Sequence, residues 1–176
     1  MTLTFGLAAN SDAQALAALH RVVADHLTSK FGPGPWSHSP SERAVLSHLR
    51  RPKFSRTLIA RAHRGGIVAC LRLATKKPWA IDTAYFTSAT RPLYLTGMAV
   101  HPNLQGKGVG RLLLKKAEDL ARAWPADAIR LDSFDAEAGA GTFYARCGYR
   151  EVARVTYKND PLVYFELMLA GSKATT

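Results

Sequence analysis

The chain has 176 residues, 47% of them hydrophobic and 21% charged, a profile that suits one domain burying most of its apolar surface and leaves no length for a second full one. Its 24 Lys and Arg against 13 Asp and Glu give a formal net charge of +11, which favours an anionic partner such as nucleic acid, phospholipid or a phosphorylated cofactor over a cationic one. Cys70 and Cys147, far apart and without CxxC spacing, argue against a disulfide framework or zinc site, and no run reaches the ~18 apolar residues of a membrane span, so a cytoplasmic protein is expected.

In chain order, residues 3–7 predict a short strand, and Asn10-Ser11-Asp12 predicts the cap of a helix carrying Leu16, Leu19, Val22, Val23 and Leu27 at helical spacing. Gly32-Pro33-Gly34-Pro35 denies both regular ladders, so residues 31–38 read as a loop. A second helix is expected from Ser41, with Glu42 near its positive end, to Arg51-Pro52. Strands at 57–62 and 67–73 flank His63-Arg64-Gly65-Gly66, a hairpin turn whose glycines accept positive φ. Residues 76–92 read as an irregular excursion with one short helix. Residues 93–100 predict a strand ended by His101-Pro102, with a bulge at Gly97. A helix then starts at Gly108, with Val109, Leu112, Leu113, Ala117, Leu120, Ala121 and Trp124 on its buried face and Lys115–Asp119 and Glu118–Arg122 as exposed pairs, and stops at Pro125. Strand 129–134, helix 136–147 capped by Gly148, and two strands around Lys158-Asn159-Asp160-Pro161 complete a mixed α/β (α+β) order with a βαβ unit at its centre. The domain is expected to span residues 1–170, with 171–176 as a disordered tail.

The informative segment is Gln105-Gly106-Lys107-Gly108-Val109-Gly110-Arg111, between a strand end and a helix start. Glycines there let successive N–H groups turn toward one point, and the helix N-terminus adds partial positive charge, so the segment suits a phosphate; a plain flexible turn is the alternative. A Walker A loop would need Ser or Thr after the Gly-Lys pair, where Gly108 stands. A dinucleotide fingerprint needs GxGxxG, whereas this chain has GxGxG.

Gln105, Gly108 and Gly110, after the strand ending Met98-Ala99-Val100-His101-Pro102, resemble the Q/R-x-x-G-x-G/A loop of the GCN5-related N-acetyltransferases, the GNAT family. Phe143-Tyr144-Ala145-Arg146-Cys147-Gly148-Tyr149 resembles that family's second signature, FYxxxGF. The likeness covers residues 93–169 well and the first 92 only in element order. It implies a mixed, strongly twisted sheet of about six or seven strands, flanked by about four helices, with splayed central strands. It further implies acetyl-CoA as co-substrate and no metal: pantetheine along Met98, Ala99 and Val100, and pyrophosphate on the N–H groups from Gln105 through Gly106, Lys107, Gly108 and Val109 to Gly110, with Lys107 and Arg111 favouring the phosphates.

Tyr144 corresponds to the family tyrosine near the thioester sulfur and would protonate the departing thiolate; core packing is its alternative. Glu137 stands where many members carry an Asn, and Tyr94 where many carry a carboxylate, so the base is unassigned among a water chain, Asp82 and Glu166, the last being otherwise a solvent-facing edge charge. Trp36, Trp79, Tyr85 and Phe86 are candidate walls of the acceptor site, with Asp82 holding the ammonium group, or else ordinary packing residues. The expected activity is transfer of an acetyl group to a primary amine of a small molecule or peptide. A basic nucleic-acid-binding protein and a non-catalytic acyl-CoA sensor are the alternatives, and a homodimer is left open.

Overall fold

Alternation of apolar residues lays seven strands into one mixed sheet in the computed structural model, which describes residues 2–63 and 65–169. The elements are β1 (Leu3–Leu7), α1 (Ala13–Phe31), α2 (Glu42–Leu49), β2 (Ser55–Ala62), β3 (Ile67–Ala74), β4 (Pro92–Val100), α3 (Val109–Ala123), β5 (Ala128–Phe134), α4 (Gly141–Arg146), β6 (Arg150–Tyr157) and β7 (Asp160–Met168). The strand order is β1-β2-β3-β4-β5-β7-β6, and every pairing is antiparallel except β4 with β5. The expected tail at 171–176 and Arg64 of the hairpin turn lie outside the described residues.

Helices cover both faces of the sheet, as its apolar centre requires. On one face Leu113, Leu114 and Ala117 of α3 pack on Leu71, Leu73, Leu93, Leu95, Ile129 and Leu131, with Tyr144 of α4 joining them. On the other, Leu16 and Leu19 of α1 and Val45 of α2 cover Ile59, Cys70 and Ala99. Residues 76–92 extend this second layer by laying Ile81 and Phe86 on Tyr94, Leu162 and Tyr164, and they contain the expected short helix as a 3-10 turn at Thr83–Tyr85.

The two parallel strands barely meet. Their pairing runs from Pro92 with Ala128 to Tyr94 with Arg130 and then stops, while β4 stays with β3 as far as Val100 and β5 stays with β7 as far as Phe134. Gly97, at φ +58, sits where the β3–β4 register shifts between Cys70 and Arg72, so the bulge read from the sequence twists β4 away from β5.

Several local expectations change. Leu112 is 53% exposed, and Leu114, at 1%, takes the buried position instead: the buried stripe of α3 is centred one residue further round than the sequence pattern suggested. Lys115 pairs with Glu118 at 3.5 Å and not with Asp119, while the Glu118–Arg122 pair is present at 3.6 Å. The helix expected over 136–147 shrinks to Gly141–Arg146. Its first part is a turn held by Gly139 N–H to Ala136 O and by Ala140 N–H to Ser133 Oγ, and a Cβ on Gly139 would lie 1.8 Å from Phe134 O. Within 31–38, Pro35–Ser37 forms a 3-10 turn steadied by Trp36 Nε1–H donating to Gly32 O at 2.9 Å.

Glu166 is neither an edge charge nor a solvent-facing one, because β7 lies between β5 and β6 and the residue is 1% exposed. Its carboxylate accepts from Thr87 N (3.1 Å), Thr87 Oγ1 (2.6 Å) and Arg150, which ties the 76–92 segment to the sheet. Burial acts to raise its pKa, and the donors from Thr87 and Arg150 outweigh burial, leaving the group below its ordinary value. A depressed carboxylate adds stability above its unfolded pKa of ~4.3 and loses it as pH falls through the folded value. Glu166→Gln is therefore expected to destabilise the protein at pH 7 by about 1–3 kcal/mol, with the gap from wild type narrowing as the pH is lowered toward 3. Urea denaturation across that range checks this, and a gap of constant size contradicts it.

Candidate active site

The parting of β4 and β5 leaves the end of β4 with one unpaired edge, and the chain that follows closes around it. After Val100, His101 N–H returns to Val68 O, Pro102–Leu104 make a 3-10 turn, and Gln105 Nε2 donates to Val100 O at 3.0 Å. Gly106 (φ +72) and Gly108 (φ +81) then bend the backbone through left-handed conformations into α3, which a side chain at either position would strain. The first α3 bond that closes is Leu112 N–H to Gly108 O, and no intramolecular acceptor among the described residues faces the N–H groups of residues 106–111. A row of free donors at the positive end of a fifteen-residue helix is an anion cradle.

This cradle opens into a cleft of about 840 Å³. Met98, Ala99 and Val100 with the glycine loop form one wall, and residues 137–140 with Phe143, Tyr144 and Cys147 form the second. Gly110 allows the walls to approach, since a Cβ there would lie 3.0 Å from Phe143 Cζ and 3.3 Å from Met98 Cε. A third wall comes from the C-terminal half of α1: Val23, His26, Leu27, Lys30 and Phe31. The sequence pattern made Val23 and Leu27 core residues of α1; their recurrence with Lys30 and Phe31 at helical spacing was the signal for this wall. His26, Lys30, Arg111 and Arg146 line the cleft with Glu137 as the one acid among them, so its field favours an anion.

Tyr144 is 6% exposed and aims its hydroxyl at Met98 Sδ, 3.6 Å away, held by edge-on contacts with Phe143 and Tyr149. Burial, followed by the nearby Asp132 and Cys147, pushes its phenol well above its ordinary value. It is thus both core and cleft lining, and it stays a proton donor throughout the neutral range.

The remaining candidates are dispersed. The side chains of Lys107, which is exposed, and Val109, which is buried in the α3 core, do not line the cleft. Tyr94 is 4% exposed beneath the 76–92 segment, with Arg130 donating to its hydroxyl at 3.5 Å. Asp82 accepts from Ala84 N–H at 3.0 Å and lies in a separate cleft of about 390 Å³ with Lys77, Trp79, Tyr85 and Tyr164. Trp36 is elsewhere, edge-on to Phe134 at 6.2 Å. Trp79 and Tyr85 thus stand with Asp82, and Trp36 alone is apart, because the 31–40 loop places it against Phe134 at the end of β5. Glu166 lines neither cleft, being committed to Thr87 and Arg150.

A sequence-family model described as the acetyltransferase (GNAT) family matches residues 21–149. No curated protein matches the chain significantly. Among solved structures, an acetyltransferase of the GNAT family from Streptococcus pneumoniae superimposes with a TM-score of 0.70 at 18% identity, over 96% of this chain and 100% of that one. The paia N-acetyltransferase of Thermoplasma acidophilum, in complex with coenzyme A, gives 0.69 at 16% over 93% and 98%. The yncA protein of Salmonella typhimurium, described as an acetyltransferase and solved with its cofactor acetyl-CoA, gives 0.70 at 18% over 100% and 99%. At these identities the likeness is one of fold.

The two cysteines give a direct check on the cleft. Cys70 is 1% exposed and burial pushes its thiol up to about 12, whereas Cys147 is half-buried at the cleft wall. Alkylation of the native protein is expected to label Cys147 alone, with Cys70 reacting only on unfolding. Equal labelling of both in the native state, read by peptide mass spectrometry, contradicts this packing.

Proposed function

The chain belongs to the GNAT acetyltransferase family, and we propose that it is an N-acetyltransferase moving the acetyl group of acetyl-CoA to a primary amine by direct attack. The observation that carries this is the conjunction of the β4–β5 parting with the row of free N–H groups at residues 106–111. Those donors would hold the pyrophosphate, with Arg111 and Lys30 adding positive field. The unpaired edge at Met98, Ala99 and Val100 would take the amide-bearing pantetheine arm as an added strand. The enclosure of its basic residues, Lys30, Arg111 and Arg146, in one cleft of about 840 Å³ suits a single bound polyanion better than a nucleic acid lying across a basic surface.

Acetyl-CoA supplies an activated acyl thioester, and the protein has then to orient the amine, accept its proton and protonate the sulfur. Tyr144, protonated and at the cleft wall, is the donor to sulfur. As the amine nitrogen bonds to the acyl carbon, the carbon–sulfur bond breaks and the phenol proton passes to sulfur; the nitrogen gives up its proton to solvent, and solvent returns one to the phenol. Glu166 is unsuited to the base because its lone pairs are committed and its pKa is depressed. The acceptor would approach on the α1 face, past Trp36.

Release of free thiol from acetyl-CoA across a panel of amines and peptides tests the activity, and binding without turnover would leave the sensor reading. Gly108→Glu is expected to abolish acetyl-CoA binding in calorimetry while the thermal melt stays cooperative, since it places a carboxylate among the donors and a side chain at φ +81. Tyr144→Phe is expected to lower kcat by ~10²-fold with little change in the acetyl-CoA KM; an unchanged kcat, with chemistry rate-limiting, assigns Tyr144 to packing alone.

A further inference from the structure

One row of side chains across the middle of the sheet carries two charges that form no ion pair among the described residues. Arg72 on β3 stands opposite Thr96 on β4, and Asp132 on β5 opposite Tyr164 on β7. The last β4–β5 pair, Tyr94 with Arg130, sets Thr96 and Asp132 at the same level on the two lips of the parting. Alternation turns all four toward α1: Cys70, Tyr94 and Leu162, two residues away, pack on that face, and the intervening Leu71, Leu95, Leu131 and Val163 pack under α3.

Arg72 donates from Nε to Thr96 Oγ1 at 2.9 Å and meets no carboxylate among the described residues. Its titratable neighbours are the imidazoles of His20 and His48, which burial and then the Arg72 charge hold below their ordinary pKa, and an imidazole in either form gives Arg72 no counter-charge. Asp132 accepts from no side chain and joins no ion pair among the described residues, and burial raises its pKa. Glu166 is answered by Thr87 and Arg150; Arg130, which also meets no carboxylate among the described residues, is held by Thr87 O, the Tyr94 hydroxyl and the Phe86 ring with its Nε left unbonded. Two half-buried charges of opposite sign, both unpaired, are costly to a fold unless a ligand completes them.

The two Cα atoms are separated by two strand spacings of ~4.8 Å, widened by the parting, which puts the two side chains on opposite sides of it and on the same face of the sheet. His20 closes the row from above, its Cε1 lying 3.6 Å from where a Cβ of Gly97 would stand. We infer that the acceptor is a zwitterionic amine of the α-amino-acid class, its ammonium group held by Asp132 and its carboxylate by Arg72. This rests on the acetyltransfer reading above, and it supplies what the sequence left unassigned: the carboxylate nearest the amine is Asp132, not Asp82 or Glu166. A peptide N-terminus or a simple alkylamine would leave the Arg72 charge unanswered.

The test compares each amino acid with the amine left when its carboxyl group is removed. Leucine, methionine and phenylalanine are assayed beside isoamylamine, 3-(methylthio)propylamine and phenethylamine by thiol release. The wild type is expected to favour the amino acids by about tenfold or more in kcat/KM. Arg72→Met should erase that preference, read as the kcat/KM ratio within each amino acid and amine pair, and Arg72→Lys should restore part of it. Asp132→Asn should raise the amino-acid KM and leave the acetyl-CoA KM unchanged. The inference is overturned by a wild-type enzyme that turns over the alkylamines equally well, by a preference that survives Arg72→Met, or by acceptance of no amino acid although calorimetry shows acetyl-CoA bound. Should Arg72→Met not fold, the wild-type ratio and Arg72→Lys decide. Absence of acetyl-CoA binding overturns the acetyltransfer reading itself.

Discussion

Three residue pairs, Pro92–Ala128 to Tyr94–Arg130, are all that join the two central strands, and the rest of the molecule is arranged around their failure to continue. A parallel pair that stops leaves backbone donors and acceptors on both lips, which a protein tolerates only where a ligand or solvent satisfies them. Each half of the sheet is braced elsewhere: β4 by β3 and α3, β5 by its seven-residue pairing with β7. The bulge at Gly97 and the shift opposite Cys70 and Arg72 turn β4 outward without loss of the hydrophobic layer beneath it.

The glycine loop depends on that parting. Gln105 ties itself back to Val100 O, and Gly106 and Gly108 use positive φ to bring the start of α3 against the open edge. The donors a helix cannot satisfy internally thus face a space that also receives basic side chains from α1, α3 and α4. Charge is handled in two ways across the molecule. Glu166 with Thr87 and Arg150 fastens a loop, and Arg61 with Asp12 fastens the entry to α1; Arg72 and Asp132, flanking the gap, are left open. Opposite charges that face one gap without pairing suggest selectivity more than stability.

Much of the fold was legible locally. The caps at Ser41 and Gly148 follow from chemistry that acts over a few residues, while of the two hairpin glycines only Gly65 takes positive φ and the expected 158–161 turn narrows to Lys158-Asn159, both at positive φ, with Asp160 and Pro161 already in β7. Local pattern is insufficient where a distant segment of the same chain decides the outcome. Helix 136–147 was too long because the close approach of Phe134 O to Gly139 cannot be seen in periodicity. Leu112 and Leu114 exchanged roles because a stripe's edge is set by what packs on it. Glu166 looked like an edge charge because nothing in its own strand shows that β6 pairs on the far side.

The cofactor-loop motif could be read from the sequence alone because its chemistry is backbone chemistry: Gln105, Gly108 and Gly110 are required at fixed spacing by the conformations they adopt, whatever the surrounding fold. The acceptor side could not. Arg72 and Asp132 are sixty residues apart in sequence and carry no mutual spacing; they fall in one row because register aligns β3, β4, β5 and β7. A side chain's chemistry is written in the sequence, but which charge remains unpaired is decided only when every other one has found its partner.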